Sequence, residues 1–359
     1  MIEMHNKKIY LFLSVYFLLN YAISGSSVTT GANFLELPHN AKEYAYGHPA
    51  DVFGVENIFS DPAAVLSFFD EKLPEWQSSA GVYTFFETVT YTNLALSYTL
   101  PRRWGSVSLG AIYLDYGTFE NIDELGDSIG NLTLYDMCVL LNYALLLPWE
   151  ASAGVNVKYI RQKIGPYTAD SYAFDVSLKK AAFWGKSGLW GSVALTNAGP
   201  DIVFISEGSP LPMAFNAALN YKMRNILNYK FDLSAGPQFK YGAQDNMTYG
   251  GSIEMIYHIY KLAVFLRGSY LVNAFSDNAF ALGFGMDYKI SGLDVDFSGA
   301  YAPAYISGNS MYASLSVSYN LPREKLDPMP KSLEEFWLEE DKEEDKEDKE
   351  NAEKKENKQ

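Results

Sequence analysis

The stretch MYASLSVSYNL, Met311 to Leu321, sets Met311, Ala313, Leu315, Val317, Tyr319 and Leu321 on one parity. Tyr312, Ser314, Ser316, Ser318 and Asn320 fall on the other. Successive side chains of a β-strand point to opposite faces, so this pattern predicts a strand with one apolar and one polar face. The pattern recurs. In 170–180, Tyr172, Phe174, Val176 and Leu178 oppose Ala173, Asp175, Ser177 and Lys179. In 213–223, Phe215, Ala217, Leu219 and Tyr221 oppose Asn216, Ala218, Asn220 and Lys222. Strands are predicted at 78–86, 89–99, 104–116, 132–146, 151–162, 170–180, 188–197, 213–223, 229–240, 247–258, 261–270, 279–289, 291–300 and 311–320. That is about fourteen, each of roughly the 9–11 residues with which a tilted strand crosses a bilayer.

The apolar faces fit either the core of a soluble sandwich or lipid. Aromatic residues gather near strand ends, among them Tyr83, Tyr98, Trp104, Tyr113, Tyr143, Tyr221, Tyr270, Tyr288 and Tyr319. Interfacial girdles of a membrane barrel have that signature. Short connections such as LPRR, LPWE and KIS contrast with longer ones at 117–131 and 198–212. Short periplasmic turns and longer external loops produce such a contrast, and an even strand count returns both ends to one side. A secreted sandwich would favour a disulfide, but Cys138 is the single cysteine. The reading is all-β: a transmembrane antiparallel β-barrel of about 14 strands over 78–321, with an N-terminal plug in its lumen.

Three flanking segments lack the period. Residues 1–24 read as a signal peptide, with Lys7 and Lys8 before the apolar run IYLFLSVYFLLNYAI and small residues at Ala22 and Ser24. The alternative is a buried N-terminal helix. Residues 25–77 carry scattered prolines and no alternation, and read as the plug. Within it Asp61 can cap a helical turn that Pro62 begins. Residues 322–359 form an acidic tail too poor in apolar residues to order itself, expected on the periplasmic side.

Charge and chemistry narrow the function. The 43 acidic and 28 basic residues give a net charge of −15, which argues against nucleic acid as a partner. Of 4 histidines, only His258 has an acid nearby on its own strand, Glu254, and a girdle histidine is the preferred account of it. No nucleophile elbow and no phosphate-binding loop occurs. No catalytic residue, metal site or cofactor is assigned, and the chain is read as no enzyme. Lys158, Asp175, Lys179, Lys222, Asp232, Lys240, Glu254, Asp287, Asp294 and Asp296 lie on polar faces. They are expected to pair with one another and with the plug; lining a substrate path is the alternative.

Residues 37–68, LPHNAKEYAYGHPADVFGVENIFSDPAAVLSF, resemble the opening of FadL-like outer-membrane proteins in the PorV/PorQ branch, and of a related spirochaete outer-membrane family. Ala41-Lys42, Gly47, Asp51 and Asp61-Pro62-Ala63-Ala64-Val65 hold the motif positions, with Asp61 in place of the usual Asn and Ala64 in place of Gly. The stretch from Leu134 to Ile164 and LTNAGPDIVF, Leu195 to Phe204, resemble later family segments. The resemblance implies a fourteen-strand barrel with a lumenal plug in the cell outer membrane. It implies uptake of long-chain fatty acids or other hydrophobic small molecules. The PorV branch instead implies a partner of proteins in a secretion or surface-attachment system; a structural envelope protein or adhesin is a third class. FadL-like barrels release substrate sideways, into the surrounding lipid, through a kinked wall strand. Two places here fit a kink: a phase slip at Thr92–Asn93, and Gly236–Pro237, where proline has no N–H for the ladder. Tyr91 and Asn93 first, and Gly236 and Pro237 second, are assigned to a substrate path; for Pro237 the alternative is a bulge near the rim with no role in transport.

Overall fold

The computed structural model describes residues 30–47, 53–67, 73–85, 89–101, 104–122, 128–148, 150–181, 188–226, 230–242, 247–273, 279–290, 293–304 and 308–319. The predicted signal peptide, the acidic tail and Asp51 lie outside these residues.

Fourteen antiparallel strands close into a barrel. They are β1 (Trp76–Phe85), β2 (Val89–Thr99), β3 (Ser106–Ile122), β4 (Ser128–Leu147), β5 (Ala151–Ile164), β6 (Tyr167–Ala181) and β7 (Leu189–Ala198), followed by β10 (Ala214–Asn225), β11 (Phe231–Gly242), β12 (Met247–Ile259), β13 (Leu262–Asn273), β14 (Ala279–Ile290), β15 (Leu293–Ala304) and β16 (Gly308–Tyr319). A small hairpin of β8 (Ile202–Val203) and β9 (Gly208–Ser209) stands apart from the wall. Each wall strand pairs with its neighbour in sequence, and β1 meets β16 with Trp76 opposite Tyr319. Closure gives every wall strand a partner on both sides.

The side-chain distribution inverts that of a soluble protein. On β6, Phe174 is 56% exposed, while its neighbour Asp175 and Lys179 on the same parity are buried. Leu94, Leu96, Leu266, Leu282 and Phe284 are exposed, whereas Asn93, Asn142, Asn156, Lys158 and Ser177 are buried. Buried charge beside exposed leucine is the informative combination, because a water-facing exterior would reverse it. Trp104, Tyr113, Tyr143, Tyr221, Tyr270, Tyr288 and Tyr319 are outward and exposed. Tyr83 is not: it faces inward, 4.8 Å between ring centroids from Tyr312.

Several boundaries differ from the sequence reading. Residues 117–131 do not form a long loop, because β3 and β4 run on to Ile122 and from Ser128. The ladder passes an irregularity between Asp115 and Thr118, where Gly117 has a φ of 86° and donates its N–H to Asp115 Oδ1 at 2.9 Å. A bulge of this kind lets pairing continue beyond the apolar belt. The contrast in connection length thus reduces to the span between β7 and β10, residues 199–213. The phase slip at Thr92–Asn93 is not a break either. β2 pairs in unbroken register with β1 and β3 through those residues.

The residues before β1 form short helical pieces: a 3-10 turn at Asn33–Glu36, helix α1 at Ala41–Tyr46, and 3-10 turns at Val55–Asn57 and Pro62–Val65. Asn40 Oδ1 caps α1 by accepting from the Glu43 N–H at 2.9 Å. Gly47, at φ 75°, ends the helix in the left-handed conformation that glycine adopts without strain. Asp61 caps the last turn, accepting from the Ala63 N–H at 3.1 Å, and Pro62 occupies its first position. Val55, Ile58, Phe59, Val65 and Leu66 are buried in one cluster with inward-facing wall residues such as Tyr91, Ile112, Cys138 and Leu140.

Candidate functional site

Polar side chains of the wall bind the backbone of the N-terminal segment. Lys158 Nζ donates to the Phe59 carbonyl at 2.9 Å and to Asn197 Oδ1 at 2.8 Å, and sits 2.7 Å from Asp175 Oδ2. Asn156 Nδ2 donates to the Ile58 carbonyl at 2.6 Å and to Asp175 Oδ2 at 2.7 Å. Asn142 Nδ2 reaches the Pro62 carbonyl at 3.0 Å. Lys179 pairs with Asp61 at 3.1 Å and lies 4.4 Å over the Phe53 ring. A second set joins α1 to the opposite wall: Lys42 bridges Glu56 at 2.8 Å and Asp296 at 3.3 Å. Short irregular backbone away from water needs such partners, since its carbonyls lack ladder neighbours.

The inward charges largely pair. Lys222 lies 3.9 Å from Asp232, Lys240 2.8 Å from Glu36, and Lys289 3.7 Å from Asp294. Glu254 meets Arg267 at 2.7 Å rather than His258. His258 Nε2 instead lies 3.2 Å from Asp232 on β11. The sequence view along a single strand missed that cross-strand partner.

Two concavities adjoin β10. The first is interior, about 80 Å3, between the N-terminal segment and the wall. Leu35, Pro38 and Phe59 supply its apolar side; His39, Glu43 and Asn216 are among its polar groups. The Lys240–Glu36 pair, partly exposed, also lines it. Burial pushes the Glu43 carboxyl up to about 7, against the pull of the His39 N–H and the Ser60 hydroxyl that bond it. Burial, aided by Lys158 and Lys240, pushes the His39 imidazole below its ordinary value, so the ring is neutral. His39 Nδ1 bonds the Tyr91 hydroxyl at 2.5 Å. Asn216 Oδ1, in a side chain 3% exposed, has no hydrogen-bond partner among the described residues.

The second is a hollow of about 450 Å3 on the wall, lined chiefly by apolar groups of Leu178, Val193, Ala217, Leu219, Pro237 and Phe239. Gln238 and Ala218, whose parity faces inward, also reach it. The ladder between β10 and β11 is interrupted here. β10 and β11 pair at Ala218–Gln238 and resume at Tyr221–Ala235, but Leu219–Pro237 and Asn220–Gly236 between them are unpaired. Pro237 has no N–H to give, and Gly236 packs so closely on the Leu219 carbonyl that a Cβ would collide. Asn220 Nδ2 and Gln238 Oε1, on the inner side, have no partner among the described residues. Along β10, Asn216 of the pocket and Ala218 of the hollow are two residues apart, about 7 Å at ~3.3 Å per residue.

Of the four residues assigned to a substrate path, Gly236 and Pro237 stand at this hollow. Tyr91 and Asn93 do not adjoin it. They face inward, where Tyr91 bonds His39 and the Asn93 amide bonds the His39 carbonyl and the Tyr312 hydroxyl. Tyr91 reads as apolar by type and therefore mimics a slip. Of the motif residues, Gly47 ends α1, and Asp61, Pro62 and Ala63 lie against β4, β5 and β6. Glu43 and Asn216 were not singled out as a site. The spacing Asn40-x-x-Glu43, a capping-box pattern, was the available signal for Glu43; Asn216 carries none.

A closed fourteen-strand wall with an apolar exterior and a polar interior is an outer-membrane β-barrel. No helix among the described residues is long and apolar enough to span, so the crossing is made by strands. No family model and no curated protein matches the chain by sequence. Its fold is similar to that of a monoaromatic hydrocarbon channel, CymD, with a TM-score of 0.54 and 11% identity over 79% of this chain and 98% of that one. It is also similar to the Pseudomonas putida toluene transporter TodX, with a TM-score of 0.52 and 10% identity over 79% and 99%.

Proposed function

We propose that the protein is an outer-membrane channel for uptake of hydrophobic small molecules, with long-chain fatty acids within its range. Residues 30–67 act as a plug held in the lumen by the buried polar contacts of β4, β5 and β6. The observation that carries the reading is the hollow at Pro237, apolar, set in the wall beside two missing ladder pairs, with its Ala218 two residues along β10 from Asn216 of the interior pocket. Its volume is that of an ordinary small-molecule site. On this reading substrate enters at the end of the barrel that carries 199–213, passes the pocket, and leaves sideways between β10 and β11. The start of β1 and the end of β16, which pair at Trp76–Tyr319, then lie together on the periplasmic side. The exit is drawn at Gly236–Pro237 and not at Tyr91–Asn93, where pairing is continuous.

The fold similarity to CymD, a monoaromatic hydrocarbon channel, and to TodX, a toluene transporter, supports the substrate class. Nothing in the comparisons supports the PorV/PorQ branch, the spirochaete family or a secretion-system partner. The test is uptake by cells that carry the full chain in their outer membrane. Labelled toluene or a labelled long-chain fatty acid should accumulate several-fold faster than in cells without the protein. Equal rates for both compounds overturn the proposal.

A further inference from the structure

The interior pocket is a built site rather than a packing gap. Its walls come from two sources, the N-terminal segment (Leu35, His39, Glu43, Phe59) and the strands β7, β10 and β11 (Asn197, Asn216, Lys240). One end is apolar and the other polar, so it suits an amphiphile held by its head. The volume of about 80 Å3 accepts a small head group and its first carbons, and not a whole acyl chain. What remains is the chemistry of that head.

The balance of hydrogen-bonding groups decides it. Asn216 Oδ1 is buried and has no partner among the described residues, so it is an acceptor in want of a donor. A buried acceptor left unmet carries a desolvation cost that a ligand donor recovers. The cation of the pocket, Lys240, is already engaged by Glu36 at 2.8 Å. Two carboxyl groups, Glu36 and Glu43, line the same space. His39 spends Nδ1 on Tyr91 and is neutral, so it adds no positive charge. An incoming carboxylate would face Glu36, with the pocket's lysine already taken by that same group. A bare hydrocarbon would leave Asn216 Oδ1 desolvated and unbonded. A neutral hydroxyl meets both conditions: it donates to Asn216 and brings no charge.

We infer that the pocket between Phe59 and Asn216 binds the hydroxyl head of small alcohols or phenols, so that the channel selects hydroxylated hydrophobic molecules over their carboxylate and hydrocarbon counterparts. This rests on the uptake reading above for its physiological meaning, and on the pocket alone for the binding.

The experiment is equilibrium binding of 1-hexanol, hexanoate and hexane to the purified full chain in detergent, each corrected for micelle partition. Hexanol should bind about tenfold more tightly than either of the others, a margin of ~1.4 kcal/mol. The wild-type comparison needs no variant to fold. Asn216→Leu should abolish the hexanol preference while hexane binding persists, and Asn216→Ser, which keeps an acceptor, should retain part of it. Hexanoate binding as tightly as hexanol overturns the inference, as does an Asn216→Leu protein with the preference intact. In either case the uptake reading stands if the cells still accumulate toluene or fatty acid. Loss of cellular uptake of every hydrophobic compound tested overturns that reading instead, whatever the pocket binds.

Discussion

Lys158 and Asp175 face each other across β5 and β6, Nζ to Oδ2 at 2.7 Å, and both side chains are sealed from solvent. A buried pair recovers its desolvation cost only when the remaining donors and acceptors are also met. Here they are. The ammonium also bonds the Phe59 carbonyl and Asn197 Oδ1, and the carboxylate also accepts from Asn156 and from the Asn197 N–H at 2.7 Å. Asn197 reaches that position because its φ of 58° and the shift in β6–β7 register turn the strand inward.

Breaking the pair from one side should therefore be costly. Lys158→Met leaves Asp175 charged and buried, and should lower stability by about 3–5 kcal/mol. Lys158→Met together with Asp175→Leu should cost less than the sum of the two single changes. Thermal unfolding of the four proteins in detergent measures the coupling, and additivity would show that the two residues act independently. Limited proteolysis adds a local readout: cleavage within 53–67 should be slow in the wild type and fast in Lys158→Met.

Glu43 gives a pH dependence of definite sign. Its folded-state pKa is raised from 4.5 to about 7 by burial, so the folded protein holds the proton more tightly than the unfolded chain. Its contribution is complete below pH 4.5, is lost as the pH rises through 7, and is absent above. The amplitude is about 3 kcal/mol at 1.36 kcal/mol per pH unit. Glu43→Gln should remove that slope from the melting temperature measured between pH 4.5 and 8. Identical slopes in the two proteins would mean that Glu43 does not titrate in this window.

The wall was legible because lipid enforces period 2. The β6 alternation from Tyr172 to Lys179 is clean, and each inward residue there is buried. Legibility failed where lipid no longer constrains the strand. The extension of β3 past Gly117 sets Phe119 and Ile122 on opposite parities among Thr118, Glu120 and Asn121, so no single apolar face separates strand from loop. It failed again at Tyr91 and Tyr83, whose rings are apolar by type but serve an inner cluster with Tyr312. The pairing gap beside Gly236–Pro237 was readable from proline chemistry alone. The pocket was not, because Asn216 meets Glu43 and Phe59 only after closure of the whole barrel.

Orientation is testable with the native thiol silent, since Cys138 is buried. A cysteine at Glu207, in the span between β7 and β10, should react with an impermeant maleimide on intact cells. A cysteine at Glu150, in the turn between β4 and β5 at the opposite end, should not. The reverse pattern would place the pocket mouth in the periplasm and exclude uptake in the proposed direction.

The central claim is that substrate leaves through the wall at Pro237, and Pro237→Val probes it at a single residue. Valine restores an N–H and suits a strand, so the unpaired step at Leu219 should close. The measurement is accumulation of labelled toluene by cells carrying either protein, alongside the heat-dependent gel shift of the folded barrel. The account predicts uptake reduced to the level of cells without the protein, with the barrel intact and at least as heat-stable. Uptake at the wild-type rate by an intact Pro237→Val barrel would contradict it.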